Sequence, residues 1–84
     1  MEICLITFRS VTPAQRGEGA LKREGFTCTL RRTPKWMEQK GCGYSLQLPC
    51  KEIQGAVHLL KKQKIPYQKI YRYQDGDRAE EWYL

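Results

Sequence analysis

Hydrophobic and polar positions along the chain predict four strands and two helices. The apolar run at residues 3–8 is typical of a central strand, and the alternation at residues 26–30 and 44–48 predicts two further strands. A last strand is predicted at residues 67–73, where an isoleucine and tyrosines are candidates for burial. A helix between the third and fourth strands is indicated by the i, i+3, i+4, i+7 spacing of Ile53, Ala56, Val57 and Leu60.

The first helix is predicted between the first two strands. Thr12 suits the N-cap position, and Gln15 three residues later completes a capping-box pattern. Gly25 is a natural stop for this helix. Gly17 and Gly19 weaken it, so we expect them to allow close packing against the sheet.

The resulting order β-α-β-β-α-β predicts an α+β, ferredoxin-like fold, with two helices packed on one face of a four-stranded antiparallel sheet. The other face would be exposed or available to a partner, including a second copy of the chain. Residues 1–73 form the predicted domain, and residues 74–84 a separate acidic tail that we expect to dock partly on the basic body. With 84 residues the core is thin, which favours a shallow site or an interface over a deep cofactor cavity.

The charge of the chain is uneven. Residues 1–73 carry 14 basic and five acidic side chains, whereas residues 74–84 carry one basic and four acidic side chains. A basic body can attract nucleic acid or an acidic protein, although a solvated surface explains the charge equally well. No apolar run approaches the ~20 residues of a membrane span, and no signal-peptide pattern opens the chain, so we predict a cytoplasmic protein without membrane contact.

Four cysteines are interpreted as free thiols, because a reducing cytoplasm disfavours disulfides. We expect no metal and no cofactor, since there is no Cys-x-x-Cys pair and His58 is the single histidine. Cys4, Cys28 and Cys50 are interpreted as structural, with Cys50 expected near Cys28 at the edge of the sheet opposite Cys42. We assign His58 to a surface or packing role. Trp36 is either a partner contact or a loop anchor.

Cys42 is the candidate functional thiol. The predicted strand directions bring the end of the first strand, the start of the first helix and the loop ending at Cys42 to one edge of the domain. A helix N-terminus and nearby basic side chains stabilise a thiolate or a persulfide, and flanking glycines leave the sulfur accessible. The alternative is that Cys42 is a small turn residue in a hairpin. The candidate binding residues around the thiol are Gly41, Gly43, Arg9, Ser10, Thr12 and Lys35.

Several motifs occur in an order that resembles the selenium/sulfur carrier protein-like family. They are Leu5-Ile6-Thr7-Phe8 with Ser10, then Ala14, Glu18, Leu21, Lys22 and Gly25, then Thr33-Pro34-Lys35, and Cys42-Gly43 with Leu46. The resemblance covers residues 3–73, and Lys35 stands where an arginine is common. It implies a ferredoxin-like domain with Cys42 as a carrier of sulfur or selenium, which receives it from a donor protein and passes it to an acceptor.

Other functions remain open from the sequence. A basic nucleic-acid-binding module could stack bases on tyrosines of the last two strands, but the RNP aromatic motif is missing, so we expect such binding to be weak and salt-sensitive. A regulatory or scaffolding domain could form a homodimer through the sheet. Acylphosphatase-like enzymes share the topology, but fold does not fix function. No general base is visible beside Cys42, so a carrier is favoured over a free-standing enzyme.

Overall fold

The computed structural model describes residues 2–32, 43–74 and 80–81. Its elements, in chain order, are β1 (Glu2–Phe8), α1 (Val11–Arg23), β2 (Thr29–Arg32), β3 (Tyr44–Pro49), a 3₁₀ turn (Cys50–Glu52), α2 (Ile53–Lys62), β4 (Ile70–Gln74) and β5 (Glu80–Glu81). The predicted β-α-β-β-α-β order is therefore confirmed, and a short fifth strand follows it.

The sheet has the strand order β2-β3-β1-β4-β5, with every neighbouring pair antiparallel. The first four strands in this order give the ferredoxin-like α+β arrangement that the sequence predicts. β1 is central, since Ile6 pairs with Leu46 of β3 on one side and Ile70 of β4 on the other. β5 was not predicted. It lies within the acidic tail and pairs Glu80 with Arg72, so the tail adds a strand to the edge of the sheet.

The hydrophobic core lies between the sheet and the two helices. Residues from three strands face it, and both helices close it with small and aliphatic side chains, so the amphipathic pattern of α2 is confirmed. The fully buried large side chains are Phe8, Ile6, Leu21, Leu46, Leu48, Ile53 and Leu60. Each side chain of this size contributes roughly 1.5–3 kcal/mol by leaving water.

The two glycines of α1 differ in their surroundings. A Cβ added at Gly17 would lie 3.2 Å from Leu60 and 3.3 Å from both Leu46 and Phe8. Gly17 therefore allows α1 to approach the sheet and α2, as expected. At Gly19 an added Cβ meets nothing within 4 Å, so the packing explanation is wrong for that position.

Both helices end in the same way. The amide of Phe26 donates to Leu21 and that of Gly25 to Lys22, which is the Schellman arrangement, with Gly25 at φ +91°. After α2 the corresponding residue is Lys64, at φ 57°, and the amide of Ile65 donates to the carbonyl of Leu60. The prediction that Gly25 ends α1 is thus confirmed. Gly25 directly follows Glu24, the C-cap residue of the helix.

Three predicted boundaries were wrong. Thr12 is not the N-cap, because Ser10 holds that position with an extended backbone and α1 begins at Val11. β2 starts at Thr29 rather than residue 26, since Phe26 is bonded to the end of α1. β4 starts at Ile70 rather than residue 67.

The face of the sheet away from the helices is not open at its centre. Leu5 and Thr7 alternate with the core-facing residues of β1, and Ser45 is the Cα partner of Thr7. Their exposed fractions are nevertheless 3%, 7% and 0% within the single chain. The expectation that this face is exposed or available to a partner is therefore wrong at these three residues.

Cys4 and Cys50 form a disulfide, which corrects the expectation of free thiols at these positions. Their Cα atoms are 5.0 Å apart, within the range that a disulfide spans. Cys50 begins the 3₁₀ turn that directly follows β3, and Cys4 lies opposite Leu48 near the end of that strand. The pairing of Cys50 with Cys4 arises because the end of β3 runs beside the start of β1. Among the described cysteines Cys28 is free and buried.

Candidate functional site

Three chain segments meet at one end of the sheet. Phe8 at the end of β1 and Arg32 at the end of β2 are both Cα partners of Tyr44, the first residue of β3. Helix α1 begins three residues after Phe8. The predicted convergence is therefore confirmed for the ends of β1 and β2 and the starts of β3 and α1, whereas the loop that ends at Cys42 lies outside the described residues.

Four of the seven candidate site residues lie in the part of the chain that the structure describes. Arg9 and Ser10 are exposed between β1 and α1, whereas Thr12 is exposed in the first turn of α1. Gly43 is half-buried and immediately precedes β3. The predictions for Lys35, Gly41 and Cys42, and that for Trp36, lie outside the described residues.

Positive side chains are found where β2 ends and β3 begins. The guanidinium of Arg32 lies over the ring of Tyr44, with 5.8 Å between its Cζ and the ring centroid. Such a contact is a cation–π interaction worth roughly 0.5–1 kcal/mol at an exposed site. Arg9 follows Phe8 on the neighbouring strand, so a second cationic residue borders the same end of the sheet. Both charges favour an anionic group here.

The segment before β4 is held firmly to the end of β1 through Thr7. The Thr7 amide donates to the carbonyl of Lys69 at 2.8 Å, and the Gln68 amide donates to the carbonyl of Thr7 at 2.7 Å. The Thr7 hydroxyl accepts from the Lys69 amide at 3.0 Å and donates to the Lys69 carbonyl at 3.2 Å. One threonine thus fixes residues 68 and 69 beside β1.

A cleft of about 670 Å³ opens between this segment and the start of α1. Two of the predicted site residues line it, together with residues that the sequence did not single out. The described lining residues are Arg9, Ser10, Pro13, Pro66, Tyr67, Gln68 and Lys69. Residues 67–69 were missed because the pattern assigned them to a strand, and no motif marks Pro66 or these residues as part of a site. The sequence offered one signal for their position: a fourth strand paired with β1 would bring the residues before it close to the end of β1.

Cys28 lies at the other end of the fold from the cleft, and its thiol is shielded. Its side chain is 6% exposed, and its Sγ lies 3.9 Å from the carbonyl oxygen of Glu18. Burial raises the pKa of the Cys28 thiol, and the carboxylate of Glu18 raises it further, while Lys22 acts in the opposite direction. Cys28 is therefore a poor nucleophile at neutral pH.

Comparison with known proteins identifies the family. The model of a family described as "Putative Se/S carrier protein-like" matches residues 3–72, which is most of the chain. The chain belongs to this family. No curated protein matches it.

The match to the Se/S carrier protein-like family extends from Ile3 in β1 to Arg72 in β4 and ends before β5. The matched range includes the Cys42-Gly43 pair and the cleft residues. Within the described ranges, no three His, Cys, Asp or Glu side chains are grouped as a metal ion would require. Neither described helix has the length and apolar character needed to cross a bilayer.

Proposed function

We propose that this protein carries sulfur or selenium on Cys42, as a persulfide or its selenium equivalent, and passes it from a donor protein to an acceptor protein. The observation that carries the proposal is the family match, whose range includes the Cys-Gly pair. The states of the other cysteines support it.

The three described cysteines are each unsuited to a carrier role. Cys4 and Cys50 are joined to each other, and their side chains are 0% and 9% exposed. Cys28 is buried, and its raised pKa keeps the thiol protonated. A carrier needs a thiolate that partner proteins can reach. Cys42 is the remaining cysteine in the sequence, and glycines flank it on both sides.

The charges at this end of the sheet support an anionic sulfur. Gly43 is bonded to Cys42 and directly precedes Tyr44, which pairs with both Phe8 and Arg32. A persulfide is anionic at neutral pH, so the positive charges of Arg9 and Arg32 would favour it over an uncharged thiol. The same charges would attract an acidic donor protein and speed its encounter with the carrier.

The proposed transfer is a thiol–persulfide exchange without net oxidation. The Cys42 thiolate attacks the outer sulfur of a donor cysteine persulfide, and a new sulfur–sulfur bond forms at Cys42. The bond between the two donor sulfurs breaks, and its electron pair stays on the donor cysteine as a thiolate. The outer sulfur brings its proton to Cys42, and the new persulfide then loses this proton to solvent at neutral pH. Release to an acceptor thiolate is the same reaction in reverse, so the carrier needs no base of its own.

Incubation with a cysteine desulfurase and cysteine tests this proposal. Intact-mass measurement is expected to show one added sulfur on the wild type and on Cys28→Ser, and none on Cys42→Ser. Circular dichroism checks that each variant is folded. If folded Cys42→Ser loads as fully as the wild type, the carrier site is elsewhere. A selenium donor in a parallel experiment distinguishes the two elements.

The nucleic-acid alternative has lost part of its basis. Tyr44 packs against the helix-side core rather than presenting its ring on the outer face. The centre of the outer face, at Leu5 and Ser45, is buried within the chain. Base stacking on this face would therefore depend on β4, where Tyr71 is the half-buried Cα partner of Leu5. A regulatory domain becomes the better explanation if Cys42 accepts sulfur from no donor.

A further inference from the structure

The cleft beside β1 has the size of a small-molecule site. Its volume of about 670 Å³ falls within the roughly 300–1,000 Å³ that is usual for ligand pockets. One wall, residues 66–69, is fixed by the hydrogen bonds of Thr7 to Gln68 and Lys69. The opposite wall is the start of α1, where Pro13 restricts the backbone. Both walls are thus held in place without a ligand.

The lining combines positive charge with an apolar surface. Arg9 and Lys69 contribute two cationic side chains, and none of the described lining residues is acidic. Ser10 and Gln68 add groups that can donate hydrogen bonds. The apolar surface comes from the rings of Pro13, Pro66 and Tyr67. This lining has one polar, positive part and one flat, apolar part.

We propose that this cleft binds a small organic anion, with a carboxylate or phosphate group attached to a short planar or apolar body. The guanidinium of Arg9 offers paired N–H donors, a geometry that matches either anion. The positive charge of Lys69 strengthens the field in the cleft. The ring of Tyr67 provides a face against which a planar body packs.

The cleft lies at the end of the sheet where Gly43 leads into β3, but the proposal does not require the carrier function. Arg9 follows Phe8 and Gly43 precedes Tyr44, and Phe8 and Tyr44 are Cα partners. The cleft therefore begins next to β3, the strand that directly follows Gly43. Binding of an anion is measured without any sulfur chemistry, so it can be tested on Cys42→Ser protein. Its failure is then separate from failure of sulfur loading.

An NMR titration of ¹⁵N-labelled Cys42→Ser protein tests the cleft, with phenyl phosphate, benzoate, inorganic phosphate and uncharged phenol as probes. We expect saturable shifts of the Ser10, Gln68 and Lys69 amides with the two aromatic anions. Arg9→Ala should weaken binding about tenfold, the effect of losing one charge-assisted hydrogen bond. The control is Arg23→Ala, because Arg23 is exposed at the other end of α1 and should leave binding unchanged.

The probes also distinguish the two anions. Tighter binding of phenyl phosphate than of benzoate assigns a phosphate ligand, and the reverse order assigns a carboxylate. Weaker binding of inorganic phosphate than of phenyl phosphate supports the contribution of the planar body. The proposal is overturned if neither aromatic anion gives saturable shifts, if phenol binds as well as both, or if Arg23→Ala weakens binding as much as Arg9→Ala. The spectrum of each variant shows whether it is folded, and Arg9→Lys replaces Arg9→Ala if the latter is not.

Discussion

Thr7 and Ser45 are Cα partners on the outer face of β1 and β3, yet their buried hydroxyls differ in hydrogen bonding. The Thr7 hydroxyl accepts from the Lys69 amide and donates to the Lys69 carbonyl. The Ser45 hydroxyl is fully buried and has no hydrogen-bond partner among the residues that the structure describes. A buried polar group without a hydrogen bond costs free energy, whereas a paired one does not. The two positions should therefore respond in opposite ways when the hydroxyl is removed.

Thr7→Val keeps the shape of the side chain and removes both side-chain hydrogen bonds to Lys69. Because the Lys69 amide then loses the acceptor that the structure gives it, the free energy of unfolding should fall by about 1–3 kcal/mol. Urea denaturation followed by circular dichroism measures this change. An unchanged denaturation midpoint would show that the hydroxyl does not hold residue 69 against β1.

Ser45→Ala removes the unpartnered hydroxyl from the same face. We expect unchanged or higher stability, by up to about 1 kcal/mol, because no hydrogen bond is lost and a desolvation cost disappears. The same urea experiment compares it directly with Thr7→Val. A loss of more than about 1 kcal/mol, the net value of one hydrogen bond, would mean that the serine hydroxyl is bonded in solution.

Alanine substitutions at Gly17 and Gly19 form a matched pair within one helix. Gly19→Ala should stabilise the protein by about 0.4–1 kcal/mol, since its position is open and alanine favours helix. Gly17→Ala should destabilise by about 1–3 kcal/mol, because its new methyl group would press on Leu60, Leu46 and Phe8. Melting temperatures that rise for both variants would contradict the close packing of α1 at Gly17.

The sequence predicted the order of elements well because each element has its own local signal. The spacing of Ile53, Ala56, Val57 and Leu60 marks one face of α2, and all four are buried. Gly25 marks the end of α1 through its positive φ. These signals depend on neighbours in the chain, which a sequence displays directly.

Features that depend on partners far apart in the chain were missed. The shift of the N-cap from Thr12 to Ser10 is a local exception, and it was missed because the first turn of a helix tolerates a proline at more than one position. The partner of Cys50 is set by the register of β1 against β3, which four cysteines alone cannot reveal. The cleft was missed for the same reason, since Thr7 and Lys69 are 62 residues apart.

The Cys4–Cys50 disulfide predicts a redox-dependent stability. It closes a loop with a sequence separation of 46, and such a crosslink stabilises a fold by about 2–4 kcal/mol. Reduction should therefore lower the urea midpoint of the wild type, while Cys4→Ala/Cys50→Ala should show no effect of reductant. Peptide mapping after alkylation in denaturant without reductant should leave Cys4 and Cys50 unlabelled. Labelling of both would show that the protein as purified holds them as thiols.

The thiols of Cys28 and Cys42 should differ in reactivity and in pH dependence. The buried position of Cys28, together with the carboxylate of Glu18, raises the pKa of its thiol. Since the thiolate is the nucleophile, Cys28 in the folded protein should react slowly at neutral pH and faster as the pH rises. The folded state also keeps this proton to a higher pH than the unfolded state does. The stability contributed by protonated Cys28 is therefore fully present below the pKa of the unfolded thiol, and it is lost as the pH rises from there through the raised pKa of the folded thiol.

Iodoacetamide labelling from pH 6 to pH 10, read residue by residue by mass spectrometry, tests this difference. At neutral pH Cys42 should label faster than Cys28, because its proposed surroundings are positive and its flanking residues are glycines. The ratio of the two rates should shrink as the pH rises, since Cys28 then forms more thiolate. In denaturant both rates should become similar, which serves as the control. If Cys28 reacts as fast as Cys42 in the folded protein at neutral pH, Cys42 has no special reactivity and the carrier proposal loses its chemical basis.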